Sequence, residues 1–118
     1  MKLLNKSKIE IKKSKFIGLC YHIDTPEEAK EILAELKKEH KKARHIPYAF
    51  VVQNTAGKSD DKEPTNTAGL PIYNLMVKKE LTHHLVAVVR YFGGVKLGAG
   101  NLLRAYLEAA VEATRDVN

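Results

Sequence analysis

An α/β (α+β) two-layer sandwich, built on a mixed sheet of about four strands with helices mainly on one face, is what this sequence predicts. Three observations lead there. Short segments alternate apolar with polar residues, longer ones place apolar residues at helical spacing, and residues 84–92 (HLVAVVRYF) form a nearly continuous apolar run of strand length. Alternation marks half-buried strands, helical spacing marks amphipathic helices, and an unbroken apolar run marks a central strand covered on both sides.

Two strands are predicted first, over 7–11 and 14–23. In the first, Ile9 and Ile11 alternate with charges; in the second, Ile17, Leu19, Tyr21 and Ile23 share one face. Thr25-Pro26-Glu27-Glu28 then supplies a capping hydroxyl, a proline at the first helical position and acids against the helix dipole. The helix that follows buries Ala29, Ile32, Leu33 and Leu36. A third strand over 46–53 places Tyr48, Phe50 and Val52 on one face. Residues 54–70 are rich in turn formers and read as a long loop, a length that in a compact domain points to function or mobility. A short helix from Pro71 buries Ile72, Leu75 and Met76. The last helix, from about Ala99 to Arg115, turns Leu102, Leu103, Tyr106, Ala109, Ala110 and Ala113 inward. The order β-β-α-β-loop-α-β-α fits a sheet with helices packed against it.

With 118 residues the chain is expected to form a single domain, 1–118. No apolar run reaches the length of a membrane-spanning helix, the N-terminus lacks a signal peptide's apolar block, and the single cysteine, Cys20, favours a reducing compartment. These features predict a soluble, cytoplasmic protein with no membrane partner. The net charge of +6 is uneven: Lys2, Lys6, Lys8, Lys12, Lys13 and Lys15 face one acid, Glu10, in the first fifteen residues. Such a balance suits a polyanion such as RNA or the ribosome, or a solvated lysine-rich surface.

Four of the seven glycines, Gly93, Gly94, Gly98 and Gly100, lie between the central strand and the last helix, beside Arg90, Lys96 and Arg104. A glycine-rich turn into a helix aims free N–H groups at the positive end of the helix dipole, where phosphate is the usual guest. Neither the dinucleotide fingerprint nor the P-loop pattern fits: Leu103 stands where the former needs a third glycine, and Ala99-Gly100 follow where the latter needs lysine and serine or threonine. An untyped anion site and tight strand–helix packing both remain. Asp60, Asp61 and Glu63 could hold magnesium, but lack the spacing of a calcium loop, and an exposed acidic turn is the commoner meaning. His45, His83 and His84 show no metal-ligand spacing, and no nucleophile motif is present. No metal and no cofactor are expected.

Taken in order, these stretches resemble the YigZ/IMPACT family. The residues that carry the resemblance are Ser14-Lys15-Phe16-Ile17, Lys42-Ala43-Arg44-His45, Asp61-Lys62-Glu63-Pro64, Thr67-Ala68-Gly69-Leu70-Pro71, the run from Arg90 to Gly100, and Leu103-Arg104-Ala105-Tyr106. The resemblance implies the fold of domain IV of elongation factor G. It also implies that the family's second, ferredoxin-like domain is absent from this chain. Lys62 and Asn66 replace two glycines that the family favours, and Asn101 replaces another; asparagine can keep a left-handed backbone, and lysine does so less readily.

The resulting expectation is a small binding module linked to translation regulation, acting on RNA, the ribosome or a translation-related protein. Its working surface is the groove between the 58–69 and 92–101 loops. Arg90, Gly93, Gly94, Lys96, Gly98, Gly100 and Arg104 form the anion-binding side, and Asp60, Asp61, Glu63, Thr67 and Gly69 the facing loop. Two alternatives stand beside it: a magnesium-dependent phosphoryl- or nucleotide-processing enzyme, and a pure protein–protein adaptor.

Overall fold

The computed structural model describes residues 2–117, in which strands β1 (Lys2–Ile11) and β2 (Ser14–His22) open the chain. Helix α1 (Pro26–Glu39), strands β3 (Tyr48–Val52) and β4 (Thr55–Ser59), helix α2 (Gly69–Lys78), strand β5 (His84–Tyr91) and helix α3 (Ala99–Ala113) follow. The strands form one five-stranded sheet in the order β1-β2-β5-β3-β4. Every ladder in it is antiparallel.

Two details differ from the sequence expectation. The sheet is antiparallel throughout rather than mixed, because β5 inserts between β2 and β3 and runs against both. A two-sided apolar run is compatible with either direction, so the 84–92 pattern carries no information on this point. The second difference is β4, a fifth strand inside the segment expected to be loop. It pairs with β3 from Val52–Thr55 to Tyr48–Ser59, after a turn at Gln53, whose backbone is left-handed at φ 57°. Thr55-Ala56-Gly57-Lys58-Ser59 buries little, being an edge strand, and so lacks the alternation that marks a strand in sequence. Gly57 is small because the Phe50 ring lies over it, 2.4 Å from where a Cβ would stand.

The two faces of the sheet carry separate cores. Helices α2 and α3 cover one face, where Ile72, Met76, Leu102 and Tyr106 pack on Phe16, Val86 and Val88. Helix α1 covers part of the other, with Ala29, Ile32 and Leu36 over Leu19, Leu85 and Val89. The α1 start forms as its sequence dictates: Thr25 Oγ1 accepts the Glu28 N–H at 3.2 Å, and Glu28 Oε1 accepts the Asp24 N–H at 2.8 Å. Leu103, expected to face inward, is instead exposed on α3.

Helix α3 lies close against β2 because both surfaces are small. A Cβ on Gly18 would stand 2.4 Å from the Ala109 carbonyl oxygen. The first strand is tied to the same helix and the turn after it: Ser7 Oγ donates to the Ala109 carbonyl at 2.8 Å, and Asn5 Nδ2 to those of Glu112 and Arg115 at 3.2 and 3.3 Å. Among the described residues, no helix is long and apolar enough to cross a membrane.

At the far end of β5, His84 pairs in register with His22, and the two rings meet edge to face at 5.9 Å. His83, just before the strand, has a left-handed backbone, φ 65°, and its ring stacks on His22 at 6.3 Å. His84 is buried, and its Nδ1 lies 2.7 Å from the Thr82 carbonyl oxygen. Burial is the main cause that pushes the His84 pKa below its ordinary 6.5; His22 and His83 add to this and the Thr82 bond opposes it. As pH falls, the unfolded chain therefore takes up a proton at this position before the folded chain does, so stability is lost below about pH 6.5. The expected result is a urea midpoint that drops between about pH 7 and pH 5.5, and drops less in His84→Asn. Equal drops in both proteins would assign the loss to other groups.

Candidate functional site

Arg90 is the second-last residue of the central strand, with Phe16 of β2 beside it in register and a bridge to His45 on the other side. Its N–H donates to the His45 carbonyl at 2.9 Å, and its own carbonyl accepts the Arg44 N–H at 2.7 Å. Its side chain emerges on the α3 face beside its register partner Phe16, with the guanidinium 5.6 Å from that ring. Only 5% of Arg90 is exposed. A charge so buried needs a counter-charge, and Glu63 supplies it: Glu63 Oε2 accepts from Arg90 Nη1 at 2.6 Å and from the Tyr106 hydroxyl. The other carboxylate oxygen lies 3.5 Å from His45 Nε2. Burial, reinforced by the bond to Glu63, holds the Tyr106 phenol far above its ordinary pKa, so it remains the donor.

The three acids adjacent in sequence go to three places. Left-handed backbone at Asp61 (φ 46°) and Lys62 (φ 71°) reverses the chain between them. Asp60 accepts the N–H groups of Asn66, Ala68 and Gly69 at 2.9, 3.2 and 2.8 Å, holding the loop against the start of α2. Asp61 accepts the Ile46 N–H at 2.6 Å. Among the described residues, no group of three or more histidines, cysteines or acids could hold a metal ion. Cys20 is buried, and burial pushes its thiol up to about 11.

Between the 58–69 and 92–101 loops lies a cleft of about 270 Å³. Glu63 and Pro64 form one wall, Phe92, Lys96 and Gly98 the other, and Arg44, His45 and Arg90 also line it. Helix α3 begins at this cleft. Its N-cap residue Gly98 has φ 79°, a conformation costly for residues with a Cβ, and among the described residues no side chain caps the first turn. Larger concavities lie elsewhere: a polar one of about 530 Å³ near His22 and Arg115, an apolar one of about 450 Å³ between α2 and α3, and one of about 360 Å³ beside Gly57, Lys58 and Tyr73. None of these combines several cations with a free helix N-terminus.

Of the predicted anion-binding residues, Arg90, Lys96 and Gly98 line the cleft. Gly93 packs against the Lys13 backbone, and its N–H donates to Ser14 Oγ at 3.3 Å. Gly94 turns the loop with φ 90°, and Gly100 lies in the first turn of α3 with only the Arg104 guanidinium near its missing Cβ. Arg104 is exposed and donates to Asn101 Oδ1 at 2.8 Å. In the facing loop, Thr67 Oγ1 donates to the Pro64 carbonyl at 2.6 Å, and Gly69 packs against the Ser59 backbone. Asn66 has the left-handed backbone expected of a glycine substitute, φ 63°, and Lys62 adopts one too. Asn101 does not: it is helical, and its Nδ2 donates to the Leu97 carbonyl at 2.8 Å.

Arg44 and Phe92 join the site without having been singled out by sequence reasoning. The Arg44 guanidinium sits 4.6 Å from the Phe92 ring centre, and 37% of Phe92 is exposed. The signal available was their place inside the motifs Lys42-Ala43-Arg44-His45 and Arg90-Tyr91-Phe92. What joins them is the bridge between His45 and Arg90, invisible in one dimension.

Comparison with known proteins agrees with this geometry at the level of family and fold. IMPACT family member YvyE of Bacillus subtilis (strain 168) is 38% identical over 112 residues, covering 92% of this chain and 52% of the relative. IMPACT family member YigZ of Escherichia coli (strain K12) is 38% identical over 113 residues, covering 92% and 55%. The chain thus spans about half the length of the curated relatives it matches. A crystal structure of a hypothetical protein superposes with a TM-score of 0.92 at 36% identity, over 97% of this chain and 58% of the other. The two-domain translational regulator Yih1 superposes with a TM-score of 0.57 at 24% identity, over 95% and 46%, a likeness of fold. The model of the Impact N-terminal domain matches residues 12–114, nearly the whole fold described above, and the chain belongs to that family.

Proposed function

We propose that this domain is a binding module of translation regulation that seats RNA phosphates in the cleft between the 58–69 and 92–101 loops. The observation that carries the reading is the convergence of Arg44 and Lys96 with the uncapped start of α3 on one cleft, beside Arg90, whose charge Glu63 balances. The uneven net charge of +6 adds a long-range attraction for polyanions. The link to translation comes by analogy with Yih1, whose fold is similar and which is a translational regulator. The magnesium-enzyme reading has less support, since Asp60 and Asp61 are committed to backbone N–H groups and Glu63 to Arg90 and Tyr106. A protein-adaptor reading draws on a different feature, the apolar groove bordered by Leu75, Leu103 and Val111.

Salt dependence separates these readings. Neutralising about five phosphates of a single strand gives a slope of log K against log salt of roughly −3.5. Lys96→Ala, on an exposed side chain, is expected to leave thermal stability unchanged and weaken RNA binding about tenfold or more. Arg104→Ala, outside the cleft, is expected to change affinity much less. Absence of binding at low salt, or binding indifferent to salt, defeats the RNA reading. A protein partner that copurifies at high salt would then favour the adaptor.

A further inference from the structure

We infer that the cleft is built for single-stranded RNA, with an unpaired base stacked on the Arg44–Phe92 pair while its phosphate rests at Lys96 and the start of α3. The inference rests on the phosphate-binding reading above and narrows it from RNA of any form to RNA with an unpaired base. Phosphate recognition alone does not require an aromatic ring exposed in the cleft. Phe92 directly follows the central strand, yet its ring is exposed in the cleft wall rather than turned into either core. Two guanidinium groups flank it, that of Arg44 at 4.6 Å and that of Arg90 at 5.7 Å. Aromatic rings and guanidinium planes are the surfaces on which unpaired bases stack, irrespective of sequence.

The pair is also presented on fixed backbone. Arg44 is held by its N–H bond to the Arg90 carbonyl, and the chain after Phe92 is held where Gly93 meets Lys13 and Ser14. Lys96 and Gly98 stand on the same wall as Phe92, so a base and its own phosphate can be engaged together. Arg90, nine-tenths buried in the same cleft, has an Nε without a hydrogen-bond partner among the described residues. A duplex cannot use this arrangement: its bases are stacked on each other, and it offers a protein mainly its phosphates, hydroxyls and groove edges. An acidic peptide or polyphosphate could use the cations, but would leave the exposed part of the ring uncovered.

The chain contains no tryptophan, so Phe92→Trp installs a single reporter at the stack. Its emission is followed during titration with a short oligouridylate, a blunt RNA duplex, inorganic polyphosphate and polyglutamate. The expected result is saturable quenching by the single strand and little by the other three. In the otherwise native chain, Phe92→Ala is expected to weaken single-strand binding roughly five- to hundredfold and leave polyphosphate binding unchanged. If Phe92→Ala melts early, Phe92→Leu keeps the apolar bulk without the aromatic face and serves instead. Duplex binding as tight as the single strand, tighter polyglutamate binding, or an intact single-strand affinity without Phe92 would each overturn the inference. So would a lack of single-strand binding. Should polyphosphate still bind and depend on Lys96, the anion-binding reading survives alone; should Lys96→Ala affect none of the four ligands, both fall.

Discussion

Glu63→Ala is expected to destabilise the domain by about 3–5 kcal/mol, because it leaves the Arg90 charge in place without its counter-charge. Arg90 and Glu63 have side chains only 6% and 3% exposed, so water does little to screen or replace the lost partner. A loss of that size consumes much of the roughly 5–15 kcal/mol that holds a domain folded. Urea denaturation followed by circular dichroism gives the value directly. Removing both partners is the necessary comparison. In Glu63→Leu/Arg90→Met the buried charges vanish together, and the double variant is expected to be more stable than Glu63→Ala. A single-variant loss below about 1 kcal/mol would mean that water reaches Arg90 and that the pair is no structural keystone.

Tyr106→Ala should cost a comparable amount, about 3–5 kcal/mol, by a different route. The side chain is fully buried, and its ring meets Phe16 edge to face with centroids 5.1 Å apart. Truncation opens a cavity between α3 and the sheet and removes a hydrogen bond to Glu63 as well. Tyr106→Phe divides the two contributions: it keeps the ring and removes only the hydroxyl, for an expected loss of about 1–3 kcal/mol. If the two variants were equally destabilised, the hydroxyl bond and not the packing would account for the whole effect.

What could be read from the sequence follows the range of the interaction concerned. Helix α1 was legible to the residue at its start, because Thr25, Pro26 and Glu28 act on backbone within one turn. The central strand was legible because burial on both faces leaves a continuous apolar run. The edge strand β4 was not, since a strand with one neighbour and little burial can be built from threonine, alanine, glycine and lysine. The site divides in the same way. The glycine loop announced itself by composition, and its facing loop by turn formers. The acids were misleading as a group: adjacency in sequence suggested one cluster, whereas backbone reversal at Asp61 and Lys62 sends them to separate partners. Arg104 lies close in sequence to the cleft residues, but helical rotation turns it away from them to Asn101.

The bonds from Asn5 and Ser7 to the last helix and the turn after it join residues 107, 110 and 102 positions apart in the chain. This has a consequence for the order of events during synthesis. At about 5–20 residues per second, β1 leaves the ribosome some 5–20 s before the helix that anchors it. The early strands can form a hairpin in that interval, but the face that α3 covers, with Phe16 at its centre, stays open to water. Closure of long loops is slow relative to helix formation, so completion of the domain is expected as one late, concerted step. Throughout the wait, the lysines of the first strand keep its unpaired edge from recruiting another nascent chain.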